Sequence, residues 1–182
     1  SITRFLESSR MTLLPAAMRW EELLQLNPTA ANLEFEAQGT LYRVSLEQHI
    51  SALRNTRPLY SSAFVHYFAL TEAAAADCLG REDLVGCNGI EDWAEQLLSA
   101  AGVGWRNDDE RVGIVELGVV RNLIAHGERE YSKRAVAKLK AAGMSPAPSQ
   151  GDRVVLDYET LKQYRSRLKS LLNRSGLGAA AV

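Results

Sequence analysis

The stretch 61–80, SSAFVHYFALTEAAAADCLG, constrains the fold more than any other part of the chain. Phe64, Phe68, Thr71, Ala75 and Leu79 recur at i, i+4, i+7, i+11 and i+15, the spacing of one face of an α-helix. Gly80 supplies the stop. A long helix with one apolar face must bury that face against other elements, and three downstream segments offer partners. Asn88 and Glu91 have capping-box spacing, and Ile90, Trp93, Ala94 and Leu97 then mark one face of a helix reaching Gly102. The acidic turn Asp108-Asp109-Glu110 suits the positive end of a helix dipole. It opens a helix over about 110–126 carrying Val112, Val115, Val119, Leu123 and Ile124, with Gly127 as a natural C′ residue. Asp157 caps a last helix over 158–173, with Leu161, Tyr164, Leu168, Leu171 and Leu172 on its buried side. Between these lie a polar helix over 132–142, the loop MSPAPSQGD, and a short extended piece at Val154-Val155-Leu156.

The N-terminal part reads differently. Residues 2–26 have helical spacing in Phe5, Leu6, Leu13, Leu14, Met18, Leu23 and Leu24. Pro15 is expected to split this helix in two, and Asn27-Pro28 to end it. Leu33 and Phe35 alternate with Glu34 and Glu36, and Gln38-Gly39 reads as a turn, so a short β-hairpin is expected over 33–44. Ser45 and Gln48 then form a capping box for a helix over 46–54. No internal repeat and no alternating βα pattern is present. The expectation is a predominantly all-α protein. It comprises an N-terminal helical and hairpin extension over 1–57 packed on the core, a helical bundle over 58–175, and a flexible tail over 176–182.

Composition excludes several classes. Hydrophobic residues make up 46% of the chain, enough for a core and against disorder. The net charge of −1 gives no global attraction to nucleic acid or membrane. Charge is uneven, however: eleven Lys or Arg stand against four Asp or Glu from Arg129 to Arg174, compatible with a surface facing a polyanion. Cys78 and Cys87 match no zinc or redox spacing and make no disulfide framework. Without an apolar run of membrane-spanning length or the charged-then-apolar order of a signal peptide, the expected location is the cytoplasm.

Chemistry concentrates in RNLIAHG, residues 121–127. Asn122 and His126 are i, i+4 and share a stripe of the helix. Arg121 lies about 140° around the axis from His126, and its long side chain reaches across the helix end. The last-turn carbonyls there attract a cation. An arginine, an amide and an imidazole together suit a phosphodiester, because arginine forks two phosphoryl oxygens and histidine moves a proton. The plainer reading is a helix end capped by His126, with Arg121 paired to acids.

Arg121-Asn122-Leu123-Ile124-Ala125-His126 resembles the R-x4-6-H signature of the HEPN superfamily, in which the residue after the arginine is commonly polar and often Asn. The upstream long helix and the closing C-terminal helix are similar to that family's four-to-five-helix bundle, over roughly 58–173. The resemblance implies a metal-independent, cofactor-free endoribonuclease in which the RNA's own 2′-hydroxyl attacks and a cyclic phosphate is left. It implies that Arg121 stabilises the scissile phosphate, that His126 transfers a proton, and that Asn122 orients the histidine or the backbone. It also implies a homodimer with two motifs facing one cleft, a role as toxin or antiviral defence effector on tRNA, mRNA or phage RNA, and a cognate antitoxin or regulatory protein. Some members carry a tyrosine two residues past the histidine that a partner nucleotidyltransferase modifies. Glu128 stands there in this chain, and Tyr131 is the nearest tyrosine, so that form of control is not expected. Elementary chemistry agrees with pairing: transesterification wants one base and one acid, and a two-fold dimer supplies two histidines and two arginines. The competing expectation is a non-catalytic α-helical module for nucleotide or RNA binding, or for dimerisation.

Other candidates surround the motif. Glu72 sits beside the apolar face of the long helix, where a carboxylate needs a partner. HEPN-like arrangements place a polar residue there, and Glu72 is expected to hold the Arg121 guanidinium. Arg129, Tyr131, Lys133 and Arg134, followed by Lys138 and Lys140, are candidates to track an RNA backbone, with Tyr131 stacking a base. A solvated helix face is the plainer account of them. His66 reads as a surface or core histidine and His49 stands alone. Scattered histidines and cysteines make zinc improbable, no carboxylate pair is spaced for magnesium, and no glycine-rich phosphate loop is present. Gly113 and Gly118 allow close helix approach, either at a dimer interface or inside one subunit.

Overall fold

The computed structural model of the chain describes residues 2–26, 32–37 and 39–177. The protein is mostly helical, and it divides into two compact units, Ser1–Tyr60 and Ser61–Val182. Among the described residues, no helix is long and apolar enough to cross a membrane.

The first unit begins with α1 (Ile2–Leu26). Pro15 lies inside it and does not split it. Proline removes one i→i−4 bond, and the acceptor that loses its donor belongs to Met11, an exposed residue whose carbonyl water can reach. Strands β1 (Asn32–Ala37) and β2 (Thr40–Ser45) form an antiparallel hairpin whose register runs from Asn32 opposite Ser45 to Ala37 opposite Thr40. Gly39 takes φ 74° in the turn, a conformation that favours glycine. The predicted stop at Asn27-Pro28 and the Gln38 half of the turn lie outside the described residues, as do residues 178–182 of the predicted tail. Helix α2 (Leu46–Arg54) starts on the predicted capping box: the Gln48 amide donates to Ser45 Oγ at 3.1 Å, and the Ser45 amide donates to Gln48 Oε1 at 3.3 Å. Helices α1 and α2 pack together. Trp20 meets the His49 ring edge-on at 5.5 Å, so His49 has an aromatic neighbour that sequence reading did not supply.

Helix α3 (Arg57–Cys78) crosses the boundary between the units. Its expected face is buried at Phe64, Phe68, Thr71 and Ala75, while Leu79 is half-buried just past the helix end. The remaining elements are α4 (Ile90–Ala100), α5 (Asp108–Ala125), α6 (Lys133–Ala141) and α7 (Tyr158–Arg174). Helix α4 does not start on a box between Asn88 and Glu91. Its N-cap is Gly89, and the Asp92 carboxylate reaches back to accept the Asn88 amide at 2.8 Å. Gly89 at φ 89° turns the chain so that Asp92 lies closer to the open end. That contact and the Gln96 amide hold the Asp92 carboxyl below its usual range.

Helix α5 is the axis of the second unit and packs on α4, α6 and α7. It starts two residues earlier than the sequence suggests because Asn107 Oδ1 accepts the Glu110 amide at 2.9 Å. Burial extends almost all round it, to Ile114, Leu117 and Val120 as well as Val115, Val119 and Leu123. Gly113 and Gly118 serve this internal packing. A Cβ on Gly118 would lie 2.5 Å from Ile90 Cγ2, and one on Gly113 would lie 3.1 Å from Arg167 Nε. On the far side, Glu116 accepts the Tyr164 hydroxyl at 2.9 Å and pairs with Arg167, which joins α5 to α7. Burial foremost, then the Glu116 charge, pushes the Tyr164 hydroxyl up, so it stays a donor. Between α6 and α7 the extended piece is reduced to one bridge, Glu130 with Arg153, beside Val154 and Leu156, which are buried. Helix α7 buries the five residues its spacing selects, with Asp157 accepting the Thr160 amide at 2.8 Å.

Candidate functional site

The site forms where α5 runs out of apolar residues. His126 is the C-cap, its amide donating to the Asn122 carbonyl at 3.0 Å, and Gly127 turns the chain away at φ 72°. This leaves the His126 side chain exposed, with no ring hydrogen bond or ion pair among the described residues.

Arg121, one turn earlier, is held from three sides. Its guanidinium carbon lies 5.5 Å from the centre of the Phe68 ring. One nitrogen stands 3.6 Å from Glu72 Oε2, and another donates to Asn122 Oδ1 at 3.0 Å. The side chains of Arg121 and Glu72 remain 37% and 31% exposed, so the pair is open to solvent. Asn122 therefore orients Arg121 and not the imidazole. The i, i+4 relation to His126 is expressed through the backbone, while the exposed amide swings toward the nearer cation.

Glu72 is caught between opposing effects. Partial burial pushes its carboxyl above the usual 4.5, and Arg121 pulls it back incompletely. A raised folded-state value means that the group's contribution to stability is full below the unfolded value and is lost as pH rises through the folded one. Glu72→Gln does not titrate, so its urea midpoint relative to wild type is expected to climb as pH rises from the ordinary carboxylate range. A difference that stays flat over that rise would contradict this reading of the carboxylate.

Arg121 and His126 face two neighbouring hollows. Arg121 and Glu72 line a cleft of about 450 Å³ bounded by α3, the segment 82–89, Ile90 and Trp93 of α4, and Gly118 of α5. His126 lines a hollow of about 340 Å³ with Val119, Leu123, Glu128, Ser132 and Arg134. Asn122 and Lys138 border both. Lys138 is exposed and makes no ion pair among the described residues, and its Nζ lies 3.5 Å from where a Cβ on Gly89 would be. Two cations, an amide and an imidazole thus line one continuous surface.

The predicted RNA-binding residues scatter. Arg134 shares the His126 hollow. Arg129 and Tyr131 border an adjoining hollow with Gln150 and Gly151, which shares Glu128 and Ser132 with the His126 hollow. Lys133 is exposed and lines neither. Tyr131 is half-buried, and its backbone is tied down: its amide donates to the Asp152 carbonyl at 2.9 Å and its carbonyl accepts from Gly151 at 3.0 Å. Burial first, then Glu116 and Asp152, raises its hydroxyl. Tyr131 also lines a hollow with Glu116 and Arg167. Sequence reading had grouped Lys138 with the general basic run; its one distinguishing signal is the helical offset from Arg134, i, i+4. Apart from Asn88, the loop 82–89 carried no signal. Among the described residues no three His, Cys, Asp or Glu side chains gather into a metal-binding group.

Comparison with protein-family models, with curated proteins and with solved structures finds no match to this chain.

Proposed function

We propose that the chain is a HEPN-like, metal-independent endoribonuclease that acts as a homodimer. One observation carries the reading. Arg121 and His126 stand about a turn apart at the open end of α5, the arginine pre-oriented by Phe68, Glu72 and Asn122 and the imidazole without a ring hydrogen bond or ion pair among the described residues. A phosphodiester laid across Asn122 and Lys138 meets a guanidinium on one side and an imidazole on the other.

In the reaction, one His126 takes the proton of the 2′-hydroxyl as its oxygen attacks phosphorus. The 5′-oxygen leaves and receives a proton from an acid, which is His126 of the second subunit. The products are a 2′,3′-cyclic phosphate and a 5′-hydroxyl. Arg121 and Lys138 balance the charge that grows on the non-bridging oxygens. Glu72 is a positioning residue for Arg121 and need not touch the substrate, whereas Asn122 holds Arg121 and also borders the path of the phosphate. Arg134 extends the cationic surface along the strand from the His126 hollow, and salt sensitivity of binding is the physical signature of such contacts. This activity suits a toxin or phage-defence effector acting on tRNA, mRNA or phage RNA and restrained by an antitoxin or regulatory partner.

A second reading, a non-catalytic helical module that binds nucleotide or RNA or dimerises, draws on the same Glu72 contact, because a carboxylate at 3.6 Å partly neutralises the cation. Purified protein incubated with total RNA in excess EDTA separates the two. Cleavage in EDTA is expected; intact RNA, or cleavage that requires an added divalent ion, would contradict the proposal.

A further inference from the structure

We infer that the cleft beside Arg121 seats one unpaired nucleobase next to the scissile phosphate, and that it favours a base with an exocyclic amine. The inference rests on the reading of Arg121 and His126 as an RNA phosphate site and adds what that site selects.

At about 450 Å³ the cleft has the size of a small-ligand pocket, with room for one base and not for a paired duplex. Single-stranded RNA is read in this way, by bases splayed out of the stack into side-chain pockets. The lining mixes two kinds of charge. Arg121 and Lys138 are cations, and Lys138 is shared with the His126 hollow, where a phosphate belongs. Glu72 is engaged with Arg121, whereas Glu82 and Asp83 come from the loop, and Ala73 and Val85 add apolar surface. A carboxylate can only accept hydrogen bonds. Asp83 gives one oxygen to the Val85 amide at 3.0 Å and retains further acceptor capacity. The carboxylates that would repel a phosphate therefore suit the amine of cytosine, adenine or guanine. Uracil presents a single N–H flanked by two carbonyl oxygens, and those oxygens face the acids unfavourably.

The strand then runs with one base in the cleft, its phosphate on the Asn122–Lys138 wall, and the next nucleotide over the His126 hollow. Such a seat restricts cutting to single-stranded segments and biases the cut toward amine-bearing bases.

Fully 2′-O-methylated tetramers of cytidine and of uridine test this without any cleavage, since their 2′-oxygens cannot attack. Binding of each to the full chain is measured by fluorescence anisotropy at fixed salt. The cytidine tetramer is expected to bind about tenfold tighter, as for one well-placed base contact. Ala73→Trp, on an exposed position of α3, should fill the cleft and erase the difference. Glu82→Gln, which leaves the cleft open, should reduce it. Equal affinities, no binding of either tetramer, or a preference that survives Ala73→Trp would overturn the inference. The two readings fail separately: a base preference without cleavage of unmodified RNA removes the chemistry and keeps the seat, whereas cleavage without a preference does the opposite.

Discussion

His126→Ala is expected to lower the rate of RNA cleavage by about 10²- to 10⁴-fold, the range for loss of a proton-transfer group, and to leave the melting temperature where it was. The second half follows from geometry. His126 is exposed, its ring makes no hydrogen bond or ion pair among the described residues, and its backbone at φ −88° and ψ 5° is open to alanine. The cap bonds use its amide, which alanine keeps. Little stability is therefore at stake, and what is lost is a titratable group beside the Asn122–Lys138 wall. A gel-based cleavage assay and a thermal melt on the same preparations check both halves. A variant that melts early, or that falls apart as a dimer with no nuclease activity to lose, would favour the structural module over the enzyme.

Trp93→Ala is expected to destabilise the protein by about 3–5 kcal/mol, the range for an aromatic side chain deleted from a core. Trp93 is 2% exposed in α4, beside Leu97 and Leu98 at 0% and 1%. It also backs the cleft next to Arg121. Its neighbours are fixed by helix packing, and Gly118 already brings α5 within contact of Ile90, so the void has little to collapse into. Urea denaturation monitored by circular dichroism measures the change. A loss below about 1 kcal/mol would mean that α4 is not docked on α5 as described, since even modest core truncations exceed that.

What the sequence carried and what it hid divide along one line, the range of the interaction. Ser45 with Gln48, Asp157 with Thr160 and Gly127 after His126 are local contacts among residues a turn apart, and all three stand where spacing puts them. The buried faces of α3, α4 and α7 were legible because each helix has one wet side, which makes the 3.6-residue period visible. Helix α5 lacks a wet side along most of its length, so its pattern selected Val112 and Ile124, which are only half-buried, with Val115, Val119 and Leu123, and passed over Ile114, Leu117 and Val120. The start of α4 shows a near-miss. Asn88 and Glu91 have box spacing, but the positive φ of Gly89 moves the cap by one residue, and Asp92 makes the reciprocal bond.

At the site itself, Arg121, Asn122 and His126 were visible as a local motif, and the apolar neighbours of Glu72 marked it as a carboxylate needing a partner. Hidden were the contacts made across the fold: Phe68 and Glu72 of α3 meeting Arg121, Lys138 arriving from α6, and the 82–89 loop closing the cleft. Those depend on where α3, α4 and α6 sit around α5, which no window of sequence encodes. The surroundings of Tyr131 were hidden for the same reason, because Glu116 and Asp152 reach it from elsewhere in the chain.

The central claim is that the Arg121–His126 surface breaks RNA through the substrate's own 2′-hydroxyl. The most direct measurement uses two synthetic strands, one all-ribose and one with a single 2′-deoxy sugar at the mapped cut position, incubated with wild-type protein in EDTA. The account predicts that the ribose strand is cut to a 2′,3′-cyclic phosphate and a 5′-hydroxyl, and that the deoxy strand stays whole at that position. Cutting of the deoxy strand at the same place, or a 5′-phosphate on the released fragment, would contradict it.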